Sequence, residues 1–267
     1  MNIIRKWRTL RVLKHYPIPF DLWLAVTKHL PLIQARSVSE RARIRLLATL
    51  FIHKKTFTGA AGLTVTPEMA ITVAAQACVA ILHLGLNTYD GWIEVILYPG
   101  AFQIKRDVTD ENGVVHRQTQ GLSGESWSRG PVIFSWQDIK HDSQQPYRGH
   151  HVVIHEFAHK LDMLSGRANG MPPLHPDMSL PEWTETLTAA WQGLLRDLAA
   201  HKHTYLDPYA ATNPAEFFAV LSEYFFTMPE ALKQHNALLF KQLEAYYRQS
   251  PPDLEEFHNR QHASANE

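Results

Sequence analysis

The chain has 267 residues, enough for one large domain or two small ones with a real hydrophobic core. Hydrophobic residues make up 45% and charged residues 19%, which excludes a disordered chain, and 26 basic against 26 acidic residues leave no net charge, so a nucleic-acid binder with its basic excess loses ground. Cys78, the single cysteine, excludes a disulfide scaffold or a cysteine-based zinc finger, and with 16 histidines any metal falls to imidazole and carboxylate.

The first twenty residues carry Arg5, Lys6, Arg8, Arg11 and Lys14 but lack the continuous apolar run of a secretory signal. Such a basic amphipathic segment can touch anionic lipid or an acidic partner, and its plainer reading is a solvated helix or arm. Residues 69–86 are apolar enough to raise the question of a membrane span. Thr72, Gln76 and His83 interrupt them, however, and Thr66-Pro67-Glu68 reads as a capped helix start, so a buried helix is expected. With neither signal nor span, the expected address is the cytoplasm.

Helical patterning runs to about Leu86 and then gives way to short β-branched and aromatic runs. Trp92–Tyr98, Phe102–Lys105, Val114–Arg117 and Pro131–Trp136 read as strands, with Glu111-Asn112-Gly113 as a turn. They predict a small, mostly antiparallel or mixed sheet. Helices return at His150–Met163, stopping near Ser165-Gly166, and then at Glu182–His201, Pro214–Thr227 and Pro229–Arg248. From Ser250 the chain is polar and reads as a loose tail. Helices, a small sheet and helices again make this an α+β chain with its site at the junction.

Residues 155–159 read His-Glu-Phe-Ala-His. On a helix, positions i and i+4 share a face, so His155 and His159 can reach one ion, and imidazole suits zinc. Glu156 beside them can take a proton from water and deliver it to a leaving amine. The neighbours Val152, Val153, Ile154, Phe157, Ala158 and Leu161 bury this helix, and a buried helix does not carry two histidines and a glutamate without partners.

A catalytic zinc needs a third protein ligand. The extended pattern with Gly at 162 and His at 165 fails, because those positions hold Asp162 and Ser165. Asp162 reads either as the partner behind His159 or as an ordinary residue at the helix end. In Asn213-Pro214-Ala215-Glu216, Glu216 is the acid of a capped helix start and the favoured third ligand. Glu223, seven residues on along the same face, is the reserve ligand or a partner behind a histidine. Tyr209, in the loop leading to that helix, is open between a packed loop residue and a donor to the oxyanion of peptide hydrolysis. His151 shares the face of His155 at i−4 and reads as a neighbour of the site. His201 and His203 supply favourable charge at a helix end.

The HEFAH helix, followed by Tyr209 and Glu216 in PYAATNPAEFFA, resembles the glutamate-ligand zincins in their lethal-factor-like branch. Within that branch the chain is similar to the Mlc titration factor family of bacterial zinc metallopeptidases. The resemblance implies a zincin-like domain over 66–250, an N-terminal helical segment over 1–65 packed on its core, and the loose tail over 251–267. It implies one zinc ion per chain on His155, His159 and Glu216, with Glu156 as general base and Tyr209 as oxyanion donor. The strand Pro131–Trp136 becomes the sheet edge that an extended peptide joins. The activity implied is aminopeptidase-like hydrolysis of a peptide or protein substrate. The partner implied is the glucose-responsive repressor Mlc, whose binding regulates sugar phosphotransferase genes, with no direct contact to nucleic acid. The alternative is a non-catalytic protein that sequesters the repressor and uses zinc structurally or as a switch.

Overall fold

A computed structural model describes residues 3–100, 102–109, 115–122, 124–126, 130–145 and 148–264. The elements run α1 (Ile3–His15), α2 (Phe20–Thr27), α3 (Pro31–Gln34), α4 (Val38–Lys54), β1 (Thr56–Gly59), α5 (Pro67–Ala80), β2 (Glu94–Tyr98), β3 (Phe102–Thr109), β4 (Val115–Leu122), β5 (Gly124–Ser126), β6 (Val132–Ser135) and α6 (Trp136–Gln144). They continue with α7 (Val152–Asp162), α8 (Leu180–Ala199), α9 (Pro214–Thr227), α10 (Pro229–His235), α11 (Ala237–Tyr247) and α12 (Leu254–Ser264). The chain is thus α+β, and no helix among the described residues is long and apolar enough to cross a membrane.

The apolar stretch after Thr66 forms α5, the central helix. Thr66 Oγ1 accepts from Met69 N at 3.3 Å, Pro67 takes the first turn, and every residue from Met69 to Ala80 is buried, Cys78 among them. A helix apolar all round must be enclosed on all sides. Here α4, α2, α3 and α7 provide that enclosure.

The four-stranded sheet has the order β1-β2-β6-β5. β1, β2 and β6 are parallel, and β5 lies antiparallel to β6. Parallel neighbours need a crossover, and α5 supplies it between β1 and β2. β6 is buried at all four positions, the continuous apolar run expected of a strand covered on both faces. β3 and β4 form a separate antiparallel pair running from Phe102 opposite Leu122 to Thr109 opposite Val115. The expected turn at 111–113 lies outside the described residues.

Several expectations are corrected. β1 arises in a stretch read as helical, because TFTG offers no buried residue and only four positions of pattern. β6, expected at the sheet edge, is an inner strand, since β5 covers its far side. α6 begins at Trp136, where Ser135 Oγ accepts from Asp138 N and turns the strand directly into a helix. The single helix expected over Pro229–Arg248 breaks at Asn236, which is extended and caps α11. The tail expected beyond Ser250 contains α12, anchored by the fully buried Leu254.

One hydrophobic cluster runs from Ile18 through α5 to Leu254. At its centre Phe157 of α7 packs against Tyr89, Phe51 and Trp92, with ring centroids 4.8, 5.7 and 5.8 Å away. Truncating Phe157 to Ala is expected to cost about 3–5 kcal/mol in urea unfolding. Such a loss would also shift α7 itself, because this ring fixes the buried side of the helix.

Candidate functional site

Two helices build the site. α7 starts at His151, whose extended backbone (φ −161°) caps the helix while its side-chain Nδ1 accepts from Ile154 N at 3.4 Å. With Nδ1 an acceptor, Nε2 carries the proton and donates to Gln76 Oε1 at 2.9 Å, and Ser143 Oγ donates to the same oxygen at 3.0 Å. Burial holds this imidazole neutral, its pKa pushed down to about 4. His151 is therefore a helix cap tied to α5. Its ring is not part of the donor cluster formed one turn later.

α9 starts with Asn213, whose side chain accepts from Glu216 N at 3.0 Å, and Pro214 fills the first position. α7 and α9 pack together, and Gly170 helps to join them. Its φ of +75° and its closeness to Pro214 (an added Cβ would sit 2.5 Å from the Pro214 carbonyl oxygen) leave room only for glycine. Gly170 N donates to Asp162 Oδ2 at 2.7 Å, linking the end of α7 to the start of α9.

That packing brings three expected residues together. His155 Nε2 lies 3.0 Å and His159 Nε2 3.3 Å from Glu216 Oε2, and the two nitrogens are 3.2 Å apart. The three side chains are the one group among the described residues with the makings of a metal site. Four-coordinate zinc, with nitrogen and oxygen ligands at about 2.0–2.2 Å, holds its ligands about 3.3–3.6 Å apart. The observed edges fall within a few tenths of an ångström of that figure. His155 Nδ1 donates to Glu223 Oε1 at 2.7 Å, which turns Nε2 toward the nitrogen of His159 and the Glu216 oxygen. Two imidazole nitrogens and a carboxylate in such contact fit a shared cation.

Electrostatics agree with that reading. Burial pushes the Glu216 carboxyl up, but hydrogen bonds from His155 and His159 more than offset it and hold it well below the usual carboxylate range. Glu223, almost wholly buried, is likewise opposed by burial and drawn down to about 2 by His155 and His150. Its Oε1 accepts from His155, while its Oε2 accepts from His151 N and lies 3.0 Å from His150 Nδ1. Glu223 thus stands behind His155 and outside the ligand cluster.

Glu156 is buried beside the cluster, and its Oε2 has no hydrogen-bond partner among the described residues. Burial raises its pKa against the pull of His155 and His159. Tyr209 sits in the 3-10 turn Pro208–Ala211, with its ring centroid 6.0 Å from that of His155. It is half exposed, and partial burial followed by the charges of Glu216 and Glu156 pushes its phenol up to about 12. His201, left-handed at φ +53°, follows the end of α8 and is not part of the donor cluster.

Asp162 does not pair with His159. Its Oδ2 is taken by the loop amide of Gly170, and both Asp162 Oδ1 and His159 Nδ1 lack partners among the described residues. Sequence reasoning missed His150, Asp142 and Gly149. At φ +72° Gly149 passes under Tyr224, where an added Cβ would sit 2.6 Å from the ring, and this places His150 on Glu223. Asp142 Oδ2 accepts from Val152 N at 2.7 Å and caps α7 from a second side. The glycine before the histidine pair was the available signal.

The hydrogen bond to Glu223 raises the pKa of His150 to about 9. A histidine raised in the folded state contributes stability that is complete below its unfolded pKa of about 6.5 and lost as pH rises through about 9. His150→Gln is therefore expected to be less stable than wild type at pH 6 and equal to it above pH 9. Urea unfolding of both metal-free proteins across that window measures the difference.

The chain matches the glucose-regulated metallo-peptidase M90 family over residues 4–248. Mlc titration factor A of Salmonella choleraesuis is 36% identical over 248 residues, covering 92% of this chain and 91% of that protein. Its namesake in Serratia proteamaculans is 36% identical over 225 residues, covering 83% and 85%. An uncharacterized protein of Synechocystis sp. is 35% identical over 246 residues, covering 92% and 89%.

Proposed function

Since the chain belongs to the glucose-regulated metallo-peptidase M90 family, we propose that it is a zinc-dependent peptidase of zincin-like architecture, its metal held by His155, His159 and Glu216. The observation that carries this reading is the convergence of those three donors, with the unpartnered oxygen of Glu156 buried beside them. When bound, zinc would supply Lewis acidity that acidifies a water and polarises the scissile carbonyl. Glu223 keeps the His155 proton on Nδ1 and so leaves Nε2 free to ligate. Glu156 takes a proton from the attacking water at Oε2 and passes it to the leaving amine. Tyr209 stays protonated at neutral pH and donates to the developing oxyanion from the open side of the site. β5 is the outer strand beside β6, and its backbone is where an extended substrate adds to the sheet.

The relatives are named Mlc titration factor A, and the second role proposed for this chain is the one the sequence resemblance implies, binding of the repressor Mlc in the cytoplasm. Aminopeptidase-like trimming is the mode the resemblance implies. The test is hydrolysis of paired peptides with free and acetylated amino termini, before and after chelation and zinc readdition. Cleavage that stops with the chelator and returns with zinc supports the peptidase, and preference for free termini supports trimming. Zinc bound at one per chain with no cleavage of any peptide would leave a repressor-binding protein instead.

A further inference from the structure

The first twenty residues hold five of the 26 cations and none of the 26 acids, which leaves the other 247 residues five charges negative. Of the five cations, Lys6, Arg8, Arg11 and Lys14 are exposed on α1. Val12 is buried and Thr9 and Leu13 are half-buried where the helix meets α4. At 100° per residue, the opposite side presents Trp7, Leu10, Arg11 and Lys14 along successive turns, with Lys6 and Arg8 on its flanks. Trp7 is 73% and Leu10 55% exposed, and the four cations are exposed with them.

We propose that this face of α1 docks on an anionic bilayer surface. A face built only for solubility has no use for an indole and a leucine in water at its centre, and a face built only for polyanions needs the cations alone. Trp and Leu between Lys and Arg match a headgroup region, where the ring and the alkyl chain enter the acyl boundary and the cations meet phosphate and carboxylate. The helix is about 20 Å long and lies along the protein surface, so it rests flat on the bilayer. The negative charge of the remaining chain is repelled by the same surface and turns α1 toward it. Association is peripheral, since no described helix is long and apolar enough to cross.

The test is co-sedimentation of the full chain with vesicles of phosphatidylcholine alone and with roughly 30% phosphatidylserine. Binding at least about tenfold tighter to the anionic vesicles is expected, falling about tenfold or more as salt rises from low to moderate. Trp7→Ser with Leu10→Ser keeps every charge and is expected to weaken binding about tenfold, and Arg11→Glu with Lys14→Glu to abolish it. All four positions are exposed, and circular dichroism verifies that the variants fold. A blue shift of tryptophan emission on vesicle binding that disappears in Trp7→Phe places that ring in the interface. Absence of binding at low salt overturns the proposal. So does full binding by Trp7→Ser with Leu10→Ser, or tighter binding to heparin or duplex DNA than to anionic vesicles, either of which marks a general polyanion site.

Discussion

Replacing Glu156 by Gln is expected to lower peptide hydrolysis by about 10^2- to 10^4-fold while zinc remains bound at one per chain. The substitution conserves volume in a position that is 3% exposed, so packing is kept. It removes only the capacity to accept a proton, because an amide oxygen is far less basic than a carboxylate. Glu156 is outside the cluster of His155, His159 and Glu216, so the three proposed ligands are untouched. Turnover of a chromogenic peptide together with metal content by mass spectrometry makes the measurement. Hydrolysis at the wild-type rate by the variant would sink the mechanism, and loss of zinc along with activity would show that Glu156 shapes the metal site instead.

Glu223→Ala is expected to act on stability and metal affinity together. The carboxylate is buried and accepts from His155 Nδ1, from His151 N and from the exposed His150. Removing it strands a buried donor on each of His155 and His151, the kind of loss that costs about 3–5 kcal/mol when a buried charged partner disappears. It also frees the His155 ring to rotate or to move its proton to Nε2, where it would block ligation. Loss of the partner behind a metal-bound histidine lowers affinity by about 10- to 100-fold. Glu223→Gln retains one acceptor oxygen and is expected to fall between wild type and Glu223→Ala on both counts. Urea unfolding of the metal-free proteins and competition with a zinc chelator read the two effects separately. Unchanged affinity in Glu223→Ala would show that packing alone fixes the His155 ring.

The site was more legible in the sequence than the sheet was. His155, Glu156 and His159 follow from helical spacing inside an apolar run, and Glu216 from an acid at the start of an otherwise apolar helix. The first three depend on local geometry, and the meeting of Glu216 with the histidines on the packing of α9 against α7. Glu223 was visible only as an acid on the right face, since choosing between ligand and partner needs the angle at which α9 crosses α7. Asp162 was undecided for the same reason, and the loop amide of Gly170, eight residues on, claimed its oxygen. Among the strands, Glu94–Tyr98 and Val132–Ser135 announced themselves by β-branched and apolar runs. Thr56–Gly59 did not, because its membership of the sheet rests on pairing with β2 across the whole of α5. The position of β6 inside the sheet was equally hidden, being decided by the three residues of β5. The break at Asn236 and the helix Leu254–Ser264 depend on one cap and one buried leucine, signals too small to outweigh the surrounding pattern.

The sealed position of Cys78 bears on how the protein withstands chemical attack. The thiol is buried in α5, and burial drives its pKa upward, so at neutral pH it offers neither a thiolate nor a path for a reagent. The donor cluster is made of nitrogen and oxygen alone. Alkylating agents and mild peroxide therefore find no sulfur to disarm at the centre, and iodoacetamide should leave the native chain unlabelled while labelling the urea-unfolded chain once. An activity built on this cluster would persist through thiol-oxidising stress that silences cysteine-dependent hydrolases, and would yield to competition for the metal.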